Sequence, residues 1–228
     1  MDAVFSNFDD YLTAFGLTLM LFVVSGLASL VLGTVLATLR VGPVSIMRKA
    51  ASVYVTMFRN TPLLMIFVFM AVAMPKLGYN FRFVEDFEVA GYNISAFFVR
   101  SSIALTLYTS AFVCEAFRSG VNAVDLGQSE AARAIGLTFA QSMKLVVLPQ
   151  ALRAVVPPLT SVQVALAKNT SVAAAFGMAE ATATMRAFTN NNADDRIGIF
   201  LAFAIGYIII VEVLTLSSYA VERRWKVT

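Results

Sequence analysis

The chain has 228 residues, of which 59% are hydrophobic and only 14% charged, and its mean hydropathy is +0.77. A bilayer core about 30 Å thick takes roughly 20 apolar residues per helix, so this length allows about five or six spans and little extramembrane mass. A single cysteine, Cys114, and no histidine exclude an internal disulfide, a thiolate or imidazole metal centre and a Ser-His triad. The pI near 9.1 comes from basic residues that flank apolar runs, a pattern of membrane topology and not of nucleic-acid binding.

The chain opens MDAVFSNFDDYL, with Asp2, Asp9 and Asp10 and no basic residue, so the first apolar run is expected to be a retained span and not a cleaved signal. That run, about Leu12–Leu39, is longer than a bilayer requires, which predicts tilt or an overhang. Gly26 and Gly33 within it are expected where helices approach closely. A second span ends near Met74 and begins between Tyr54 and Pro62. Arg59, followed by Thr61-Pro62, shapes its inner end, either snorkelling to headgroups or touching a substrate. Phe97–Cys114 read as the third span and Val155–Met178 as the fourth, its start distorted by Pro157-Pro158. Ile197–Ser217 read as the fifth. No linker or internal repeat interrupts the series, so residues 1–228 form one transmembrane domain, with residues 115–153 as a cytoplasmic loop within it.

Charge orients these spans. With the N-terminus outside, the inner segments hold Arg40, Arg48, Lys49, Arg59, Arg118, Arg133, Lys144, Arg153, Arg223, Arg224 and Lys226, against Lys76, Arg82, Arg100, Arg186 and Arg196 outside. Acidic residues run the other way, with Glu85, Asp86, Glu88, Asp194 and Asp195 among those outside. The positive-inside rule then gives N-out and C-in, as an odd number of spans requires.

Lys168 lies roughly 20 Å beyond Val155 at about 1.5 Å per helical residue. An ionisable group at that depth costs at least about 2.5–3.5 kcal/mol and is expected to face the bundle interior or a cavity. It can line a path and attract a substrate carboxylate, with Asn169, Thr170 and Ser171 supplying hydrogen bonds. It can instead form a structural pair with Glu115 or Glu212. Glu212, towards the inner end of the fifth span, is a candidate either for packing or for the path.

The most ordered polar stretch is EAARAIGLTFAQSMKLVVLP, Glu130–Pro149. Glu130 with Arg133, and Gln141 with Lys144, are spaced to share helical faces. The alanines favour helix, Gly136 offers a turn, and Pro149 suits the first turn of a following helix. The spacing predicts helix, turn, helix on the inner face of the membrane, packed on its own bundle or presented to a partner.

EAA, three residues, Gly, nine residues and then hydrophobic-x-Leu-Pro resembles the signature loop of ABC importer permeases, with Val146 in place of the usual Ile. Gln128 before it and PQALRAVVPPLTS (Pro149–Ser161) after it resemble the polar amino acid branch, the histidine, glutamine, glutamate and arginine permeases. Phe58-Arg59-Asn60-Thr61-Pro62-Leu63-Leu64 and Lys168-Asn169-Thr170-Ser171 are similar to two further elements of that branch. Among its members the chain is most similar to glutamate-uptake permeases.

The resemblance implies an all-α integral membrane protein of the type I importer, MetI-like fold, multi-pass in the bacterial cell membrane. It implies that Glu130, Ala131, Ala132, Gly136, Leu148 and Pro149 belong to a coupling helix seated on a cytoplasmic ATPase, and that changes at Glu130 and Gly136 uncouple hydrolysis from transport. Partners would be ATP-binding cassette subunits, a second permease (identical or a sister chain), an extracytoplasmic amino-acid-binding protein, the polar amino acid and membrane lipid, with no nucleic acid. No G-x-x-x-x-G-K-[ST] occurs, so no cofactor is expected in this chain and ATP-Mg belongs to the partner. The expected cargo is glutamate or another polar amino acid such as glutamine, aspartate, arginine or histidine. A stand-alone secondary transporter or channel would need ion-coupling carboxylates or inverted repeats, of which Glu212 is the one clear candidate. A membrane enzyme would need a catalytic constellation, and none stands out.

Overall fold

The first apolar run becomes α2 (Phe8–Val41), a helix of 34 residues preceded by a short α1 (Asp2–Ser6). α2 is apolar all round, so hydrophobic period cannot tell which face packs. Small residues can: Ala14, Thr18, Ser25, Gly26, Ser29, Gly33 and Ala37 form its buried side together with Leu21 and Leu36. Small side chains let backbones approach where lipid offers no hydrophobic drive for association. At Gly33 a β-carbon would sit 2.5 Å from Val113 and 2.9 Å from the Ser110 carbonyl, which is the closest approach of α2 to α6 (Ala96–Asn122). Gly33→Val is expected to push the two helices apart at a cost of about 1–3 kcal/mol or more. Its measurable result is a lower melting temperature of the purified protein, and an unchanged melting temperature would contradict the packing.

The computed structural model describes residues 2–84, 87–89 and 91–225; Glu85, Asp86 and Lys226, which entered the charge comparison, lie outside these. Among the described residues four helical runs are long and apolar enough to cross a membrane: Phe8–Val41, Ala96–Asn122, Phe139–Phe176 and Ala193–Arg224. The expected second span falls on a bent pair, α3 (Ser45–Asn60) followed after a 100° bend by the run Leu63–Lys76. The bend falls where the sequence dictates. Pro62 disfavours the helical region for the residue before it, and Thr61 is accordingly extended (φ −94°, ψ 126°).

Leu63–Lys76 is itself composite: α4 (Leu63–Val68), a wide π turn (Phe69–Ala73) and α5 (Met74–Lys76). The same device recurs further along the chain, where α8 (Phe139–Ser142) passes through a π turn (Met143–Val147) into α9 (Leu148–Asn169). Each wide turn directly precedes a proline, Pro75 or Pro149. A proline in a helix removes one N–H and crowds the carbonyl four residues back, and a widened turn relieves both. The Ala71 carbonyl, which Pro75 cannot serve, accepts a hydrogen bond from Arg100 at 3.4 Å.

Between the second and third spans lies a hairpin, β1 (Glu88–Val89) paired antiparallel with β2 (Tyr92–Asn93). The segment between α6 and α8 carries α7 (Leu126–Ala134), and α10 (Ala181–Asn191) precedes α11 (Arg196–Trp225). α6 is the axis of the bundle. Its Phe98, Ala104 and Leu105 pack against Leu21, Ile66, Phe67, Met70 and Leu166 in one core cluster. Its Ala111 and Cys114 meet Leu36, Ala37, Ala51 and Val55 in a second cluster towards the inner side. The Cys114 thiol is thus a buried filler. A third cluster joins Val4 and Phe15 to Ala181, Ile199 and Phe203, with Tyr11 and Tyr207 packed around it.

Three expectations need correction. The third span continues to Asn122, so Glu115 sits two turns inside α6 and does not open the cytoplasmic loop. The fourth begins well before Val155, in the run that starts at Phe139. Pro157 and Pro158 do not distort it: α9 passes through both without a break, and its irregular turns lie at Met143–Val147 and in the 3-10 segment Thr170–Phe176. α9 packs against α6 and α11, and these contacts keep it helical through positions where local sequence alone would end a helix.

Candidate functional site

The Glu130–Pro149 motif folds as helix, turn, helix. Asp125 caps α7, accepting from the Gly127 amide at 2.7 Å. α7 ends in a Schellman turn: Gly136 N–H donates to the Arg133 carbonyl and Leu137 N–H to the Ala132 carbonyl. The residue after such a helix end takes a left-handed conformation, and Gly136 does, at φ +87°. α8 then starts at a capping box in which the Thr138 hydroxyl accepts from Gln141 N–H and the Gln141 side chain accepts from Thr138 N–H. Gln141 is therefore spent on the cap, and Lys144, within the π turn, shares no regular helical face with it.

Glu130, Ala131 and Gly136 are exposed, while Ala132 is buried and roots α7 on the bundle. Leu126, Ile135, Phe139, Leu145 and Leu148 are also exposed, at 41–79%. Several large apolar side chains on one short segment, beside the exposed Glu130 carboxylate, make a surface of the kind that partners cover. Pro149 occupies the first turn of α9, as its lack of an N–H favours.

The other candidate residues do not form one cluster. Lys168 is exposed near the end of α9, and among the described residues no ion pair joins it to Glu115 or Glu212. Asn169 lines a groove of about 230 Å³ between α6 and α9, with Tyr108, Thr109, Phe112 and Ser161. Thr170 is fully buried with its hydroxyl donating to the Ala167 carbonyl at 2.7 Å, so it does not present a donor to that groove. Ser171 donates to the Lys168 carbonyl. Thr61 donates to the Met57 carbonyl, and Glu212 is exposed on α11.

Arg59 does not snorkel freely. It pairs with Glu115 at 3.1 Å and lies over the Phe112 ring at 5.9 Å. A larger cavity of about 420 Å³, between α2, α6 and α8, is almost wholly apolar. Its Thr34 and Thr38 hydroxyls are engaged by carbonyls of their own helix, leaving little to orient a polar solute. The α6–α9 groove is the better candidate path.

Glu180 is not among the candidates that the sequence singled out. It is completely buried. One oxygen accepts the Thr182 and Ala183 amides at 2.9 and 3.1 Å and so caps α10; the other accepts the Tyr207 hydroxyl at 2.7 Å and faces Thr18 at 3.4 Å. Burial pushes this carboxyl above the ordinary range, and the bonds from Tyr207 and the amides pull it back. A single carboxylate thus ties α2, α10 and α11 together. The Glu-x-Thr pattern before a helix was the available signal.

Residues 29–227 match the family model described as the inner membrane component of binding-protein-dependent transport systems. The chain belongs to this family. It is therefore a multi-pass permease component of such a transport system in the inner membrane. The permease is 38% identical over 205 residues to the glutamate transport system permease protein GluC of Corynebacterium efficiens, covering 87% of this chain and 86% of that one. It is 30% identical over 217 residues to the glutamate/aspartate import permease protein GltJ of Escherichia coli K12, covering 93% and 85%. Its fold resembles the crystal structure of an amino acid ABC transporter with histidines, with a TM-score of 0.84 at 24% identity, covering 97% of this chain and 96% of that one. The inward-facing MetNI methionine ABC transporter gives 0.70 at 18%, covering 95% and 96%. These likenesses bear on the fold alone, and they place it among the MetI-like permeases of type I importers, as expected.

Proposed function

We propose that this permease forms half of the translocation path of an ATP-driven importer of polar amino acids, with glutamate the first candidate. Two observations support the reading. The Glu130–Pro149 motif is folded as a capped, exposed helix pair with unpartnered apolar side chains, and the relatives named above carry glutamate in their names. ATP-Mg is bound and hydrolysed by separate ATPase subunits that seat α7 and α8. A second permease, identical or a sister chain, completes the path, so that groups exposed on one chain, Lys168 among them, come to face the lumen. An extracytoplasmic binding protein delivers the amino acid, and closure of the ATPases switches the path between inward- and outward-open.

Reconstitution tests this. The permease co-purified with its ATPase and placed in vesicles with its binding protein should take up labelled glutamate only when ATP is supplied. Uptake driven by an ion gradient without ATP would instead favour a stand-alone secondary transporter. Glutamine and arginine permeases also stand among the relatives, so competition by those amino acids decides between glutamate and a broader cargo. Lys168→Ala is expected to cut uptake at least several-fold while the protein still inserts; unchanged kinetics would remove Lys168 from the path.

A further inference from the structure

The apolar cavity of about 420 Å³ between α2, α6 and α8 takes no part in the proposed path, yet its setting is specific. Its walls are the last turns of α2 up to Val41, Phe117 and Val121 of α6, and Met143, Leu148 and Leu152 of the run from Phe139. All three elements are long and apolar enough to cross a membrane, so the solvent they meet there is hydrocarbon. Phe139, Leu148 and Leu152 are exposed, so the described residues leave that side of the cavity uncovered. The Thr34 and Thr38 hydroxyls are already bonded within α2, which leaves an occupant almost only apolar contacts along the walls.

At the end of α2 the chemistry changes. Gly42 and Pro43 also border the cavity, and Arg48 Nη1 donates to both of their carbonyls, at 2.9 and 2.8 Å. A guanidinium is thereby held at the rim, with its other nitrogens unspent on these bonds. Arg40 and Arg59 are paired with Glu115, whereas among the described residues no carboxylate meets Arg48. The flanking chain is of one sign. Residues 40–60 hold Arg40, Arg48, Lys49 and Arg59, residues 139–160 hold Lys144 and Arg153, and neither stretch holds an acidic residue. At the start of α3, Ile46 and Met47 are exposed beside Arg48 and Lys49. Apolar and basic side chains exposed together on one helix suit the boundary between acyl chains and headgroups.

We propose that this cavity binds an anionic phospholipid of the leaflet at this end of α2. One acyl chain lies between α2, α6 and the run from Phe139, and the headgroup phosphate meets Arg48, to which guanidinium geometry is suited. An apolar slot with a cation at its rim matches that amphiphile and not a polar solute. A seated chain also splints α8 against the end of α2, since both form the walls. The assignment holds whichever solute the permease carries.

The test is photolabelling of the permease–ATPase complex in nanodiscs, using phosphatidylglycerol with a diazirine in its acyl chain and the matching phosphatidylcholine. The phosphatidylglycerol probe should label peptides holding Phe117–Val121 and Met143–Leu152 several-fold more strongly than phosphatidylcholine does. Arg48→Gln should cut that labelling about five-fold and Arg48→Lys should keep most of it, as loss of a charge-assisted contact requires. Leu152→Trp fills the cavity from an exposed position and should block the labelling. A wild-type melting temperature in phosphatidylcholine alone shows that this variant is folded. Phosphatidylglycerol should also raise the melting temperature of the wild-type complex, and Arg48→Gln should lose that rise. Equal labelling by the two lipids, labelling indifferent to Arg48→Gln, or no label in these peptides because the ATPase or a second permease covers the cavity overturns the proposal.

Discussion

Gly136→Asp should abolish ATP-driven uptake while leaving the amount of permease in the membrane unchanged. Gly136 ends α7 in the left-handed region, and a β-carbon there would meet nothing of this chain within 4 Å. Aspartate is among the residues that tolerate this conformation, so the internal cost is of order 1 kcal/mol, too little to unfold the protein. The space that is open in the isolated chain is where a docked ATPase backbone would come. A branched anion placed there blocks close approach and sets a second charge beside Glu130. Uptake into vesicles and membrane abundance by immunoblot check the two halves of the prediction. Normal uptake by this variant would falsify the coupling assignment, and loss of the protein from the membrane would show a folding defect instead.

Glu180→Ala should be the most destabilising substitution outside the helix crossings. It removes the cap of α10, worth about 0.5–2 kcal/mol. It also removes the 2.7 Å acceptor of the buried Tyr207 hydroxyl, which keeps only Thr182, at about 1–3 kcal/mol for a buried polar group, while Thr18 retains the Ala14 carbonyl. Together these make a loss of roughly 2–5 kcal/mol, read as a fall in the melting temperature of the purified permease. Glu180→Gln should cost much less. Its amide oxygen can keep the Thr182 and Ala183 N–H groups, and its NH₂ can donate to the Tyr207 oxygen, which then gives its proton to the Thr182 hydroxyl 3.0 Å away. Equal effects of alanine and glutamine would mean that the network carries little of the fold.

Length and hydropathy were enough to find four of the spans, because each must bridge the same apolar thickness; the expected second span falls instead on the bent pair Ser45–Asn60 and Leu63–Lys76. They could not find span ends. Glu115 reads as the start of a loop since a lone carboxylate in lipid is unfavourable; its acceptability depends on Arg40 and Arg59, which come from distant positions and which no local pattern announces. The loop motif was legible in detail, down to the turn at Gly136, because caps and left-handed glycines are local devices with local signatures. Lys168-Asn169-Thr170-Ser171 was legible only as a group. One helical register sends Asn169 to the groove and Thr170 into the core, and the neighbours of α9 decide which is which. Glu180 was missed for a related reason: in a segment rich in Asn and Asp, a buried acid looks like one more surface charge.

The run from Phe139 to Phe176 has a final consequence. It begins at the segment proposed to seat the ATPase and passes Ser161 and Asn169, so that surface and one wall of the α6–α9 groove lie on one continuous helical run, with Asn169 about 45 Å along it from Phe139. Such a run acts as a lever arm. A tilt of about 5° imposed at Phe139 displaces Asn169 by roughly 4 Å with no relay of side-chain rearrangements between them.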